Sequence, residues 1–208
     1  MKKLIAIGMI LLVLAAGCRT AQTDAPAPAP TEPPAAEQPT AAPASNPGPE
    51  AEATEPGEPY AFSFTAQTLD GDTVTEAYLG AHDLTMVNVW ASWCGPCRSE
   101  LKELGQLYGK LPENVGFLSV TVDDPGDLAD AKALLEENGC AFPCLDGQGS
   151  PGLMAGFLGQ VMAIPTTIFF DRAGNQVGQW IVGVPQGSGS VSEAYLVEIE
   201  ARLAQLNK

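Results

Sequence analysis

From Tyr60 onward the chain alternates between apolar runs of strand length and apolar residues at helical spacing. YAFSFTAQTLDGDTVT reads as a β-hairpin with Asp70-Gly71 at its turn. LTMVNVW at 84–90 is a short, mostly apolar run and predicts a buried central strand. Cys97, Leu101, Leu104, Leu107, Tyr108 and Leu111 then recur at helical spacing, with Pro96 suited to the first turn. VGFLSVTV at 115–122 predicts a second buried strand. Leu128, Ala131, Leu134 and Leu135 mark another helix, which Gly139 can end. TTIFF (166–170) and QVGQWIVG (176–183) flank Asp171-Arg172-Ala173-Gly174-Asn175 as a second hairpin. Leu196, Ile199, Leu203 and Leu206 form the apolar face of a last helix. A strand-helix-strand unit followed by antiparallel strands predicts one α/β domain over 60–208, a mixed central sheet with helices on both faces and an N-terminal β-hairpin.

The pattern upstream is different. Lys2 and Lys3 precede an apolar run, Leu4 to Ala16, that is short for a membrane span. It ends in Ala15-Ala16-Gly17 directly before Cys18. This resembles a bacterial lipoprotein signal, and implies removal of residues 1–17 and lipid on Cys18. The alternative is an ordinary cleaved signal that leaves Cys18 in the tail. Acyl chains contribute roughly 0.8 kcal/mol per buried methylene, so several of them anchor a protein stably. Arg19 to Pro59 is dominated by Pro, Ala, Glu and Thr and has no aromatic residue, Val, Ile or Leu. Such a segment buries too little apolar surface to offset chain entropy, so 18–59 is expected to be a disordered tether. At about 3.1 Å per residue in polyproline II it reaches on the order of 100 Å.

Composition narrows the chemistry. The 208 residues carry 10 basic and 25 acidic side chains, a net charge of −15. That balance argues against nucleic acid and against electrostatic binding to anionic lipid. A single His excludes metal sites built on paired histidines, and that residue, His82, reads as a loop residue. Five Cys remain.

Cys94 and Cys97 stand between a buried strand and a helix, in WASWCGPCRSE. At a helix start the first sulfur lies near unpaired backbone N–H groups, which with the helix dipole stabilise its thiolate. The second Cys sits one turn inside. That asymmetry makes Cys94 the attacking nucleophile and Cys97 the resolving thiol. A zinc site would need further ligands, and Cys140 and Cys144 lie far along the chain at a different spacing. No metal is expected.

WASWCGPCRSE, Ile164-Pro165-Thr166 and the element order resemble the thioredoxin fold. More narrowly, they resemble membrane-tethered thiol-disulfide oxidoreductases of the TlpA/ResA type over nearly all of 60–208. The N-terminal hairpin and the additional segment at about 123–163 are similar to this branch rather than to thioredoxin itself. The resemblance implies a redox pair in Cys94 and Cys97, a cis-proline at Pro165, and a substrate surface that includes Trp93, Gly95, Pro96 and Ile164. Thioredoxin has a buried Asp six residues before the first Cys, where this chain has Asn88, which cannot exchange protons. Glu100 matches an acidic residue found in the TlpA/ResA branch three after the second Cys. It is therefore the candidate to take the proton from Cys97, against the alternative of a solvated carboxylate at a helix start.

The resemblance further implies a lipid-anchored, extracytoplasmic reductase at a bacterial cell membrane, with no cofactor beyond its own disulfide. Its partners would be disulfide-containing exported proteins, among them apocytochrome c or other thiol enzymes, and an integral-membrane thiol donor. The protein is expected to be a monomer. Two alternatives are a peroxiredoxin, whose Thr three before the reactive Cys is replaced here by Ala91, and a copper chaperone. The copper class uses a C-x-x-x-C pair with a distal His, whereas here the spacing is two and His82 precedes the pair.

Cys140 and Cys144 are not part of the family pattern. With 141–143 extended their Cα atoms would stand about 13 Å apart, too far to bridge. A turn around Phe142-Pro143 would bring them within reach. In an exported chain the expected state is a structural disulfide, with free buried thiols or a second redox pair as alternatives.

Overall fold

The computed structural model describes residues 60–187 and 189–207. The signal at 1–17, the lipid site at Cys18 and the tether at 18–59 lie outside the described residues.

Strands β1 (Thr65–Gln67) and β2 (Thr73–Thr75) pair antiparallel, with Thr65 opposite Thr75, and Gly71 takes φ +93° in the connecting turn. A separate five-stranded sheet has the order β5 (Cys144–Asp146), β4 (Val115–Thr121), β3 (Leu84–Trp90), β6 (Thr166–Asp171), β7 (Ile181–Val182). The β3–β4 and β4–β5 pairs are parallel, while β6 and β7 run antiparallel. The sheet is therefore mixed, as the pattern predicts. The hairpin reaches the outer edge of β5: the Leu69 N–H donates to the Cys144 carbonyl at 2.8 Å. This occupies part of an edge that would otherwise present open hydrogen-bonding groups.

Alternation along the central strands divides the core in two. Met86 and Trp90 of β3, Phe117 of β4 and Phe169 of β6 face α2 (Gly95–Tyr108), α3 (Leu128–Glu137) and α5 (Val191–Leu206). Val87, Val89, Leu118, Val120, Ile168 and Phe170 face the other way, toward Phe64, Leu79 of α1 (Ala77–Gly80) and Leu153 of α4 (Pro151–Gly156). Every residue of β3 and β4 is buried, as strands covered on both faces must be. Three polar positions, Asn88, Ser119 and Thr167, fall on the α2/α5 side by the period of two.

The predicted strand at 176–183 survives only as Ile181–Val182, with an isolated bridge from Gln176 to Phe170. Gly178 and Gly183 take φ of +74° and +85° and interrupt it. On either side of Gly178 the Val177 and Gln179 carbonyls accept from the Arg202 guanidinium, at 3.1 and 2.8 Å, rather than from a neighbouring strand. Arg202 is nearly buried and lies 4.1 Å from the centre of the Phe169 ring, which fastens this loop to α5. His82 follows α1, packs on the Tyr78 ring and is half-buried in the turn before β3. The elements that the pattern leaves unannounced are short: α1, β5, α4 and a 3₁₀ turn at Leu158–Gln160.

Phe117 is fully buried and touches the rings of Tyr108 and Phe142, at 6.1 and 4.5 Å between centroids. Phe117→Ala is expected to lower stability by about 3–5 kcal/mol, read as a fall in the urea midpoint.

Candidate functional site

β3 ends at Trp90, and the chain crosses Ala91 to Trp93 before α2 begins. Cys94 is the N-cap of α2: its backbone is extended, and its sulfur accepts the Cys97 N–H at 3.2 Å. One of the open N–H groups of the helix start is thus aimed at the sulfur, the arrangement that stabilises a thiolate there. Pro96, in the first turn, has no N–H to satisfy. Cys94 and Cys97 are joined by a disulfide, S–S 2.08 Å, with Cα atoms 5.3 Å apart. Cys97 is fully buried and Cys94 is 6% exposed, so the outer sulfur is the one that solvent and substrate can reach.

The approach to that sulfur is framed by the predicted residues. The Ile164–Pro165 bond is cis, and the Ile164 carbonyl oxygen lies 3.7 Å from the Cys94 sulfur. Gly95 and Pro96 are exposed, Ile164 is half-buried and Pro165 buried. Trp93, expected on the substrate surface, stands 66% exposed. It edges a cleft that Arg98, Asp127, Asp130, Leu134 and Glu137 also line. Met162, almost fully exposed, precedes Ile164 by two residues.

The loop before Cys94 is held by a residue that the sequence reading missed. Asp123 is fully buried. Its carboxylate accepts the Ser92 N–H at 2.9 Å, the Ser92 hydroxyl at 2.7 Å and the Thr121 hydroxyl. β3 and β4 run parallel, so the residues just beyond their C-terminal ends meet, and a carboxylate directly after 115–122 was the available signal.

Glu100 is not a solvated helix-start carboxylate: it is 1% exposed. The Asn88 amide donates to one carboxylate oxygen and the Tyr195 hydroxyl to the other, both at 3.1 Å. Burial pushes the Glu100 carboxyl up to about 7, against the two donors, which pull it down. It can therefore exchange a proton near neutral pH, as an acid-base group serving Cys97 must. Tyr195 is the other residue missed. Its hydroxyl is raised above the ordinary tyrosine value by burial and by the charge of Glu100.

The expected Cys140–Cys144 bridge requires correction, because both are free thiols. The chain at 143–144 is drawn onto the sheet rather than turned: the Ser119 N–H donates to the Pro143 carbonyl at 2.9 Å, and Cys144 opens β5 opposite Ser119. Phe142 is buried against Phe117. The Cys140 thiol donates to the Leu101 carbonyl at 3.2 Å, while Cys144 lies against Ser119 and Trp90. Burial pushes Cys140 up to about 11 and Cys144 up to about 12.

A bridged Cys-x-x-Cys at the junction of a central strand and the first long helix, faced across the sheet by a cis-proline, defines a thioredoxin-fold protein. Comparison carries this further: residues 58–177 match the AhpC/TSA family, and the chain belongs to it. A thiol:disulfide interchange protein DsbE homologue from Paracoccus denitrificans is 34% identical over 110 residues, 51% of this chain and 56% of that one. A thiol-disulfide oxidoreductase ResA from Bacillus thuringiensis is 32% identical over 114 residues, 54% of this chain and 61% of that one. These matches span little more than half the length of either relative. Among solved structures, a thioredoxin-family thiol:disulfide interchange protein from Chlorobium tepidum aligns with a TM-score of 0.56 at 26% identity, over 72% of this chain and 99% of that one. Within its fold the chain is of the ResA/DsbE kind.

Because the folded protein holds the Glu100 proton more tightly than the unfolded chain, this carboxyl's contribution to stability is complete below about pH 4.5 and lost as pH rises through about 7. Glu100→Gln removes that loss. The stability of the variant relative to wild type is expected to rise between pH 5 and pH 8, read from urea midpoints at the two values.

Proposed function

We propose that this domain is an extracytoplasmic thiol-disulfide oxidoreductase that reduces disulfides of exported proteins, apocytochrome c or another exported thiol enzyme among them. The observation that carries the reading is the Cys94–Cys97 bridge at the start of α2, with Cys94 its slightly exposed member and a buried carboxyl one turn below. The named activities of the ResA and DsbE relatives support it.

In the reduced form the Cys94 thiolate attacks a substrate disulfide. A new bond forms between the Cys94 sulfur and one substrate sulfur, and the second substrate sulfur leaves as a thiolate that takes up a proton. Glu100 takes the proton from Cys97. The Cys97 thiolate then attacks the Cys94 sulfur, closes the Cys94–Cys97 bond and expels the first substrate sulfur as a thiolate, which takes the proton that Glu100 holds. Two electrons thus pass to the substrate, with one proton from Cys97 by way of Glu100 and one from solvent, and an integral-membrane thiol donor re-reduces the enzyme. No cofactor beyond the dithiol enters this cycle. Trp93, Gly95, Pro96 and the Ile164–Pro165 segment form the surface on which the substrate chain lies. The chain works as a monomer held at a bacterial cell membrane by lipid on Cys18, with residues 18–59 as the tether.

Insulin reduction tests the chemistry: Cys94→Ser is expected to lose turnover entirely, and Cys97→Ser to accumulate mixed disulfides visible on non-reducing gels. A Cys97→Ser variant that is inactive and traps nothing would reverse the two roles. Metabolic labelling with fatty acid tests the anchor: label is expected on the membrane-fraction protein and none on Cys18→Ser. Unlabelled wild-type protein in the medium would refute it.

A further inference from the structure

Four side chains from four elements close a ring beneath the disulfide. Asn88 of β3 donates one amide hydrogen to Glu100 at 3.1 Å and the other to the Thr167 hydroxyl of β6, also at 3.1 Å. The Thr167 hydroxyl lies 3.0 Å from the Tyr195 hydroxyl of α5, and that hydroxyl donates to Glu100 at 3.1 Å. All four residues are at most 1% exposed. Among the described residues no lysine, arginine or histidine bonds the carboxylate. The groups that face it are Asn88 from β3, Tyr195 from α5, with Thr167 of β6 behind them, and Cys97 a turn away on α2 itself.

Such a ring is complete in one protonation state and not in the other. With Glu100 ionised, Thr167 donates to Tyr195 and Tyr195 donates to the carboxylate, so every hydrogen is used. With Glu100 protonated on the oxygen that Tyr195 faces, the carboxyl donates to Tyr195 and Tyr195 donates to Thr167, whose own hydrogen then finds no acceptor within the ring. Only O–H bonds turn, and no heavy atom moves. Tyr195 is the member through which both orders run, because a phenol both donates and accepts.

The position of Tyr195 is itself fixed from two sides. α5 opens with a capping box, in which Ser190 and Glu193 bond each other's backbone N–H groups. The same turn is tied to α2, where the Ser192 N–H donates to the Glu103 carboxylate at 3.1 Å. Near its other end Arg202 grips the loop after β6.

We propose that Tyr195 is a positioning residue of the redox site, its hydroxyl holding Glu100 from the C-terminal helix and setting how readily that carboxylate gains and releases a proton. As a statement about the reaction this rests on the oxidoreductase reading above. As a statement about Glu100 it does not. A donor to the charged form favours that form, so the loss of Tyr195's hydroxyl raises the pH at which Glu100 ionises, by roughly one unit.

The test is a carbon-13 carboxyl titration of the full chain in detergent micelles, oxidised, with the Glu100 resonance identified by its loss in Glu100→Gln. Tyr195→Phe keeps the ring and its packing, and its Glu100 midpoint is expected above that of wild type. Thr167→Val removes the partner that polarises the phenol and is expected to shift the midpoint the same way by less. Coincident midpoints in wild type and Tyr195→Phe overturn the proposal. Should Tyr195→Phe fail to fold, Thr167→Val decides it by the same criterion. The pH–rate profile of insulin reduction is expected to move with the titration. A protein that titrates as stated but reduces no disulfide would refute the proposed function while leaving the role of Tyr195 toward Glu100 intact.

Discussion

A carboxyl group taken out of water one helical turn below a pair of sulfurs must find its hydrogen-bond partners inside the protein, since an unpaired buried charge is costly. For Glu100 those partners come from β3 and α5, with β6 behind them. Helix α2 therefore cannot shift along the sheet, nor α5 across α2, without stranding a polar atom in the core. The requirement explains why α5, distant in sequence from the dithiol, is pinned at both ends. It also explains why one sheet face carries Asn88 and Thr167 among residues that are otherwise large and apolar.

The two faces of the sheet divide the labour. The face under α1, α4 and the N-terminal hairpin is almost purely apolar, with Phe62, Phe64, Phe157 and Phe170 clustered at ring separations of 5.2–5.8 Å. It contributes burial and little else. The opposite face holds the polar groups and the dithiol. Packing stability and proton chemistry are thus separated by the thickness of one β-sheet, which lets the reactive side keep a costly buried carboxyl while the other side supplies compensating apolar contact.

What could be read from the chain follows from the range over which each signal acts. LTMVNVW, VGFLSVTV and TTIFF declare themselves because a strand covered on both faces must be apolar throughout, and their bounds hold to within a residue. The dithiol declares itself because a helix start and two cysteines are neighbours in sequence. Asn88 and Glu100 were both singled out, but as competitors for one role. That they are hydrogen-bonded partners depends on α2 lying back over β3, which no local pattern states. Tyr195 and Asp123 act 95 and 31 residues away from the groups they bond, and in sequence Tyr195 is simply one more apolar helix position. The strand at 176–183 failed for a related reason: its alternation was genuine, but Gly178 and the distant Arg202 redirected its backbone. The bridge assigned to Cys140 and Cys144 rested on proximity in sequence, and pairing of Pro143 and Cys144 with β4 removed the turn it needed.

The free thiols then acquire a different meaning. Burial pushes the Cys144 thiol up to about 12 and so disfavours its thiolate at neutral pH, and it is the thiolate that exchanges. Packing alone thus keeps Cys144 out of exchange with the Cys94–Cys97 bond, though both belong to one apolar cluster. That insulation exists only in the finished fold. The short edge strand that opens at Cys144 closes off a wrong partner and leaves Cys94 and Cys97 as the pair that can react.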